Sequence, residues 1–168
     1  MFKKKIKVVE TAEGEGLEPK KLPIAEKVFE DINVISIRHK GRYTEIGDFV
    51  AILMKTAGIK GQGTPFCIFH DDREKEIRDI EICMPVSRKI SKPDIEYKTI
   101  KGGKFLVTMQ NGAYSELGRG FKELEEYAKE NGVKIGKSTR EYYIKGPALF
   151  VKKYPNRFVT ALCYEIED

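Results

Sequence analysis

The sequence lacks tryptophan and has only three cysteines and two histidines among its 168 residues. Cys67, Cys83 and Cys163 form no Cys-x-x-Cys pair, and an odd number of cysteines does not suit a disulfide framework, so we expect reduced thiols. His39 and His70 have no metal-ligand spacing with these cysteines. The sequence therefore predicts neither a bound metal nor another cofactor.

Long apolar runs are also missing, since no stretch approaches the ~18 residues that cross a bilayer. The lysines among the first six residues are not followed by the apolar segment or the cleavage site of a secretory signal. No Walker-type phosphate loop and no Gly-x-Ser-x-Gly nucleophile motif occurs either. These absences predict a soluble, cytoplasmic protein without a membrane partner.

The charge of the chain is high but mixed in sign. Lysine and arginine number 31 against 26 acidic residues, which makes a formal net charge of +5. Because the lysines are interleaved with acids along most of the chain, they do not form the basic stripe of a nucleic-acid-binding surface. We therefore predict no direct binding to nucleic acid.

One seven-residue pattern occurs twice. Gly41–Gly47 reads Gly-Arg-Tyr-Thr-Glu-Ile-Gly, and 71 positions later Gly112–Gly118 reads Gly-Ala-Tyr-Ser-Glu-Leu-Gly. Apolar residues with the 4-3-4 spacing of an amphipathic helix follow, and Thr44 and Ser115 are suited to cap these two helices. The predicted buried helix faces are Ile46, Val50, Leu53 and Ala57 in the first copy, and Leu117, Phe121, Leu124 and Ala128 in the second.

The strand candidates keep the repeat. Phe66–Phe69 aligns with Arg140–Tyr143 at a shift of 74, and Ile80–Cys83 aligns with Thr160–Cys163 at a shift of 80. Each half therefore reads strand-helix-strand-strand. We predict an α+β fold, a tandem repeat with pseudo-twofold symmetry whose mainly antiparallel sheet carries two helices on one face and a ligand groove on the other. The strands that open the halves are Asn33–His39 and Phe105–Gln110.

The chain divides into an extension and one domain. Residues 1–30 have no counterpart in the repeat and read as a partly flexible N-terminal extension, in which Ile6–Val9 could form an edge strand. Residues 31–168 form the predicted domain. Its first repeat covers about 31–91 and its second about 94–168.

Strand alternation sorts the candidate site residues by face. Ile80 and Ile82 are predicted to lie under the helices, so Glu81 faces away from them. The repeat places Cys163 on that far face, and alternation within the neighbouring strands groups Glu141 with Tyr143 and Cys67 with Phe69. A helix-free face that collects carboxylates, aromatics and small residues suits a ligand pocket. The predicted lining is Glu141, Tyr143, Glu81, Phe69, Cys67 and Cys163.

Glu141 is unusual because a carboxylate in the middle of a strand is unfavourable unless it is exposed or paired. It could pair with Arg140 or Lys145 on a solvated sheet face. It could instead neutralise a cationic ligand between tyrosine rings, or act as a general base with a pKa raised by burial. The residues alone leave these three hypotheses open.

The helix entrances carry two further repeated residue types. Tyr43 and Tyr114 are interpreted as packing residues that anchor the turn before each helix, in preference to binding residues. Gly47 and Gly118 are predicted to mark close backbone approach, since a glycine within a helix costs about 1 kcal/mol against alanine.

With the repeat, the Ile35–Tyr43 opening and the Thr139–Tyr143 strand, the chain resembles the GyrI-like small-molecule-binding family over roughly residues 31–168. The resemblance implies a twofold strand-helix-strand-strand fold with the ligand groove between the halves. It also implies that Glu141 is a pocket glutamate, surrounded by aromatics, that receives hydrophobic cations. The family supplies effector-binding domains to multidrug-sensing regulators of the MerR and AraC types.

Two departures from the family limit this inference. Many members have Thr-Glu-Ile in the closing strand where this chain has Thr160-Ala161-Leu162, so a second acid there is missing unless Glu81 or Glu165 replaces it. About 30 residues precede the predicted domain, too few for the helix-turn-helix module of the regulators. The chain is therefore expected to be a stand-alone member.

The sequence leaves three functions open. The first is a protein that binds small hydrophobic, cationic or planar compounds, either to sequester them or as an effector module for a separate regulator. The second, implied by the resemblance, is a hydrolase of electrophilic cyclopropane-bearing compounds, with Glu141 as base and Tyr143 as proton donor. The third is a protein-binding module like a gyrase inhibitor.

Overall fold

The computed structural model of the protein describes residues 21–145 and 158–168. The predicted Ile6–Val9 strand and most of the predicted loop Lys145–Asn156 lie outside these residues. Eight strands and two α-helices make up the described fold. Strands β1 to β4 are Ile24–Phe29, Ile32–Gly41, Phe66–Phe69 and Arg78–Pro85; β5 to β8 are Glu96–Ile100, Gly103–Asn111, Ile135–Lys145 and Val159–Ile166; α1 is Ile46–Ala57 and α2 is Leu117–Asn131.

The strands form one antiparallel sheet in the order β1-β6-β8-β7-β3-β4-β2-β5. Exchanging β1 to β4 for β5 to β8 reverses this order and leaves the pairing unchanged. The predicted α+β fold with pseudo-twofold symmetry is thus confirmed. Each half contributes an edge strand to the other half, because β1 pairs with β6 and β5 pairs with β2.

These two edge strands were not predicted. Each half is strand-strand-helix-strand-strand, and the repeat shift of 71 already relates Phe29 at the end of β1 to Ile100 at the end of β5. Charged residues such as Glu26 and Lys27 hide the apolar alternation of β1, as is usual at a sheet edge. The sheet therefore begins at Ile24, inside the segment predicted as an extension.

Both helices lie on the same face, as predicted. The α1 residues Ile46, Val50, Leu53 and Ala57 pack in one core cluster with Ile80, Ile82 and Met84. The α2 residues Leu117, Phe121, Leu124 and Ala128 pack in another with Leu106, Leu162 and Tyr164. Neither helix in the described ranges is long and apolar enough to cross a membrane.

The helix entrances differ from the prediction. A single 3-10 turn precedes each helix, and Thr44 and Ser115 lie inside these turns, whose N-cap residues are Arg42 and Ala113. The carboxylate of Glu45 accepts the backbone N–H of Arg42 at 2.7 Å instead. The 3-10 turns therefore begin at Tyr43 and Tyr114, and the α-helices follow them at Ile46 and Leu117.

The glycine prediction was wrong. A Cβ atom at Gly47 would meet nothing within 4 Å, and one at Gly118 would come only to 3.8 Å from Arg73. Close approach occurs at Gly120, where a Cβ atom would collide with Leu162 and with Gln110. The backbone N–H of Gly120 donates to Gln110 Oε1 at 3.0 Å, which holds α2 against β6.

The sheet curls so that its helix-free face closes on itself. Only Glu30 and Asp31 join β1, at one edge, to β2, next to the other edge, and such a link spans at most ~11 Å. Gly102 in the equivalent β5–β6 turn donates its N–H to Asp31 Oδ1 at 2.8 Å, so the two turns meet. The enclosed cluster is Phe29, Val34, Phe66, Ile68, Cys83, Ile100, Phe105, Val107, Met109, Tyr142, Ala161 and Cys163.

Candidate functional site

Glu141 lies at the centre of the sheet, on the pseudo-twofold axis. Strand β7 pairs with β3 so that Cys67 stands opposite Glu141, flanked by the pairs Phe66–Tyr142 and Ile68–Arg140. The repeat shift of 74 converts one flanking pair into the other and maps the Cys67–Glu141 pair onto itself. The two halves therefore meet at this pair, and only one of its members is acidic.

The Glu141 carboxylate is buried and faces the helices. Glu141 is only 4% exposed, and Leu162 is its cross-strand neighbour on the side away from Cys67. The hydroxyl of Tyr43 donates to Glu141 Oε1 at 2.5 Å, and the hydroxyl of Tyr143 donates to the same oxygen at 3.1 Å. The hypothesis of a solvated ion pair with Arg140 was wrong, because Arg140 lies on the other face over the Phe105 ring.

The surroundings of Glu141 set its protonation near neutral pH. Burial raises the pKa of Glu141 to about 7, although the hydrogen bonds from Tyr43 and Tyr143 and the charge of Arg78 act in the opposite direction. Burial also raises the pKa of Tyr43 and of Tyr143 well above their usual values. At pH 7 the tyrosines are thus neutral donors to a carboxylate that is partly protonated.

Aromatic rings surround Glu141 in symmetric pairs. Tyr43 stacks on Phe69 with 5.9 Å between ring centroids, and in the other half Tyr114 meets Tyr143 edge-on at 5.6 Å. Tyr43 and Tyr114 meet across the axis at 5.9 Å, and Phe158 contacts Tyr114 at 5.3 Å. A carboxylate enclosed by ring faces is suited to a cation with flat apolar substituents.

Arg78 adds a positive charge beside the rings. Its guanidinium carbon lies 4.5 Å from the centroid of the Phe69 ring, and its Nε donates to Asp71 Oδ1 at 3.0 Å. The side chain is 8% exposed. The site therefore combines the buried carboxyl group of Glu141 with the buried guanidinium cation of Arg78 on the same face of the sheet.

The structure brings together four of the six predicted lining residues. Glu141, Tyr143, Cys67 and Phe69 lie on the helix face, between the two halves. The candidate site is therefore between the helices and not on the helix-free face, where the groove was predicted. Burial raises the pKa of the Cys67 thiol, so Cys67 is a small apolar neighbour of Glu141 and not a thiolate.

The other two predicted residues, Glu81 and Cys163, lie on the opposite face. Glu81 accepts hydrogen bonds from His70 Nε2 at 2.9 Å and from Lys98 at 2.8 Å. The hydrogen bond from His70 lowers the pKa of Glu81 to about 2, with a further contribution from Lys98. Cys163 belongs to the enclosed apolar cluster. Glu81 therefore does not supply the missing second acid, and Glu165, on the same face as Cys163, does not either.

Tyr43, Tyr114 and Arg78 are site residues that were not predicted from the sequence. Tyr43 and Tyr114 were interpreted as packing residues, but these two equivalent residues meet at 5.9 Å, which puts both beside the symmetry axis. Arg78 precedes Ile80 by two positions in β4, so alternation alone would have placed it on the helix face. Among the described residues, no cluster of three or more histidine, cysteine or acidic side chains could hold a metal ion.

The fold and the buried acid among aromatic rings define a class of protein, a duplicated α+β small-molecule-binding domain. The sequence pattern of the GyrI-like small molecule binding domain matches residues 23–162. The chain belongs to this family. A search of curated proteins finds no match.

Solved structures share the fold at low identity. The C-terminal domain of EcmrR superposes with a TM-score of 0.75 and 22% identity over 88% of this chain and 98% of that one. EcmrR in its DNA complex superposes with a TM-score of 0.76 and 20% identity over 88% of this chain. The match covers 58% of the EcmrR chain, so this chain spans only part of that protein.

Two other solved structures share the fold at still lower identity. A hydrolase encoded by lin2189 from Listeria innocua has a TM-score of 0.61 and 11% identity over 88% of this chain and 93% of that one. SAV2435 bound to tetraphenylphosphonium has a TM-score of 0.61 and 10% identity over 87% of this chain and 94% of that one. At these identities the likeness establishes the fold.

Proposed function

We propose that this chain binds a small lipophilic cation at Glu141, between its two halves. The observation that carries the proposal is the buried carboxylate on the symmetry axis, held by two tyrosine hydroxyls and enclosed by aromatic rings. Burial disfavours the charged form of this acid, so a cation placed beside it would stabilise the carboxylate while its apolar groups cover the rings.

Two comparisons support this ligand class. The family is one of small-molecule-binding domains, and SAV2435, which shares the fold, was solved with the lipophilic cation tetraphenylphosphonium. The protein would sequester such compounds in the cytoplasm or report them to a separate partner. A regulator is the partner we favour, since the similar EcmrR domain belongs to a protein solved with DNA. Direct nucleic-acid binding is not part of the proposal, because the charges of this chain are mixed in sign.

Calorimetric titration with tetraphenylphosphonium at pH 8 tests the proposal. Wild type is compared with Glu141→Gln, which keeps the shape of the side chain and removes its charge. We expect the substitution to weaken binding by about tenfold or more, as the loss of a desolvated charge pair would. Glu165→Gln changes the net charge equally on the opposite face and should leave the affinity unchanged. Equal affinity in wild type and Glu141→Gln would refute the role of Glu141.

A second candidate function is a hydrolase, because a carboxyl group with a pKa of about 7 is suited to act as a general base. Glu141 would take a proton from water as the water oxygen attacks a strained carbon. The attacked carbon–carbon bond of the ring would break, and the hydroxyl of Tyr143, at 3.1 Å from Glu141, would protonate the carbon that takes up the electron pair. The hydrolase from Listeria innocua has the same fold.

The enzymatic alternative has its own test. The protein is incubated with a cyclopropane-bearing electrophile in water enriched in oxygen-18, and the products are analysed by mass spectrometry. A hydrolase would release a ring-opened product that carries the label, and Glu141→Gln would abolish it. Absence of turnover by wild type would exclude this function for the substrate used.

A further inference from the structure

Arg78 is a buried cation whose hydrogen bonds are incomplete. Its side chain is 8% exposed, and Asp71 takes one of its donors, the Nε–H, at 3.0 Å. The second oxygen of Asp71 accepts the backbone N–H of Asp79 at 2.7 Å. Among the residues that the structure describes, the Nη2 atom of Arg78 is buried and has no hydrogen-bond partner.

Arg140 shows how a structural arginine is satisfied in the same sheet. It also lies 4.5 Å from the centroid of a phenylalanine ring, that of Phe105, but on the helix-free face. Its Nη2 donates to the carbonyl of Lys101 at 2.9 Å, and its Nη1 donates to the hydroxyl of Tyr142 at 3.4 Å. A buried donor of a charged group that lacks such partners is costly, so the open Nη2 of Arg78 requires an explanation.

The position of Arg78 relates it to Glu141. Ile82 of β4 stands opposite Cys67, which stands opposite Glu141, so these residues form one row across the sheet. Phe69 stands opposite Ile80 in the next row, and the guanidinium of Arg78 lies over its ring. The Tyr43 ring stacks on Phe69 and its hydroxyl donates to Glu141, so Tyr43 and Phe69 connect the carboxylate to the guanidinium of Arg78.

We propose that Arg78 is a specificity-determining residue whose Nη2 donates to a hydrogen-bond acceptor on the ligand. The inference rests on the proposed function and deepens it. The ligand is then a lipophilic cation that also carries a carboxylate or carbonyl group. A cation without an acceptor would leave the open donor of Arg78 buried and unsatisfied.

A matched pair of probes tests the inference. Pentyltriphenylphosphonium and (4-carboxybutyl)triphenylphosphonium have the same cation and nearly the same chain, but only the second ends in a carboxylate at pH 8. Calorimetric titration gives the ratio of their affinities. We expect wild type to bind the carboxylate probe about tenfold more tightly, the effect of one charge-assisted hydrogen bond.

Substitutions assign that ratio to a residue. Arg78→Met keeps an apolar stem on Phe69 and removes the donors, so the two probes should bind equally. Arg140→Met makes the same change on the other face and should preserve the wild-type ratio. If Arg78→Met does not fold, Arg78→Lys replaces it, and the ratio should fall because a single ammonium on a shorter arm replaces the two-pronged donor.

The outcomes separate this inference from the proposed function. If both probes bind wild type equally and Glu141→Gln weakens both, the role of Arg78 is overturned while the cation site stands. A preference for the carboxylate probe that survives both substitutions of Arg78 also overturns it, because another group then recognises the acceptor. If neither probe binds wild type, the proposed function fails, and this inference fails with it.

Discussion

Cys67 and Glu141 occupy equivalent positions in the two repeats and face each other on the axis that relates them. A glutamate at both positions would place two carboxylates side by side, and their repulsion would keep one of them protonated. The cysteine avoids this repulsion and leaves a single acid at the centre. The symmetry of the fold thus gives the site similar surroundings on both sides. Because one half has cysteine where the other has glutamate, the site is suited to a single positive charge.

Cation binding should depend on pH through Glu141. Because the pKa of this buried acid is about 7 and only the ionised form attracts a cation, affinity should be constant above about pH 8. It should fall about tenfold per pH unit below the pKa, since one proton competes with the ligand. Titration with tetraphenylphosphonium between pH 5 and pH 9 would measure this, and Glu141→Gln should show no such dependence. A flat profile for wild type would contradict the assignment.

Glu141 should also destabilise the free protein at high pH. A carboxyl group with a raised pKa binds its proton more tightly in the folded state, so stability falls as pH rises from about 4.5 through about 7. We therefore expect Glu141→Gln to raise the free energy of unfolding by about 3 kcal/mol at pH 8 and by little at pH 4. Urea unfolding at the two pH values measures both effects. Equal effects at both pH values would show that burial does not disfavour the ionised form of Glu141.

The two tyrosine hydroxyls should tune the protonation of Glu141 unequally. Both donate to its ionised form, and the bond from Tyr43 at 2.5 Å is shorter than the bond from Tyr143 at 3.1 Å. Tyr43→Phe should therefore move the pH midpoint of cation binding upward by about one unit, and Tyr143→Phe by less. The midpoints come from the same titrations. A downward movement in either variant would mean that the hydroxyl favours the protonated acid.

Glu81 should contribute to stability and not to binding. The hydrogen bonds from His70 and Lys98 hold the pKa of this carboxyl at about 2, so its contribution is complete above about pH 4.5 and is lost as pH falls through about 2. We expect Glu81→Gln to lower the free energy of unfolding by about 2 kcal/mol at pH 7 and by much less at pH 2. Affinity for tetraphenylphosphonium should not change. A large loss of affinity would place Glu81 in the site after all.

Two glycines of α2 should respond in opposite directions to alanine. A Cβ atom at Gly120 collides with Leu162 and Gln110, so Gly120→Ala should cost about 1 to 3 kcal/mol through overpacking. Gly118 has room for a Cβ atom, so Gly118→Ala should stabilise the protein by up to about 1 kcal/mol. Urea unfolding of the pair checks both signs. Similar effects of the two substitutions would contradict the close packing of α2 on β6 and β8.

Much of the fold can be predicted from the sequence because residues close together in the chain form the patterns that mark each helix and strand. The spacing of Ile46, Val50, Leu53 and Ala57 recurs 71 positions later, and it marks a buried helix face whatever the rest of the chain does. Glu141 also stands out without a structure, since few carboxylates occur in the middle of an apolar strand. Edge strands β1 and β5 escape notice because charged residues interrupt their alternation.

The position of the site depends on information that no strand carries alone. Alternation shows that Cys67 and Phe69 share a face, and that Glu81 and Cys83 share one, but it does not relate one strand to the next. The register does: Cys67 stands opposite Ile82, and a slip of one residue would have moved Glu141 to the helix-free face. The chain alone determines the repeat, its helices and its unusual acid. Pairing between distant strands decides that this acid lies beneath the two helix entrances, where Tyr43 can reach it, because cross-strand hydrogen bonds join residues that are far apart in sequence.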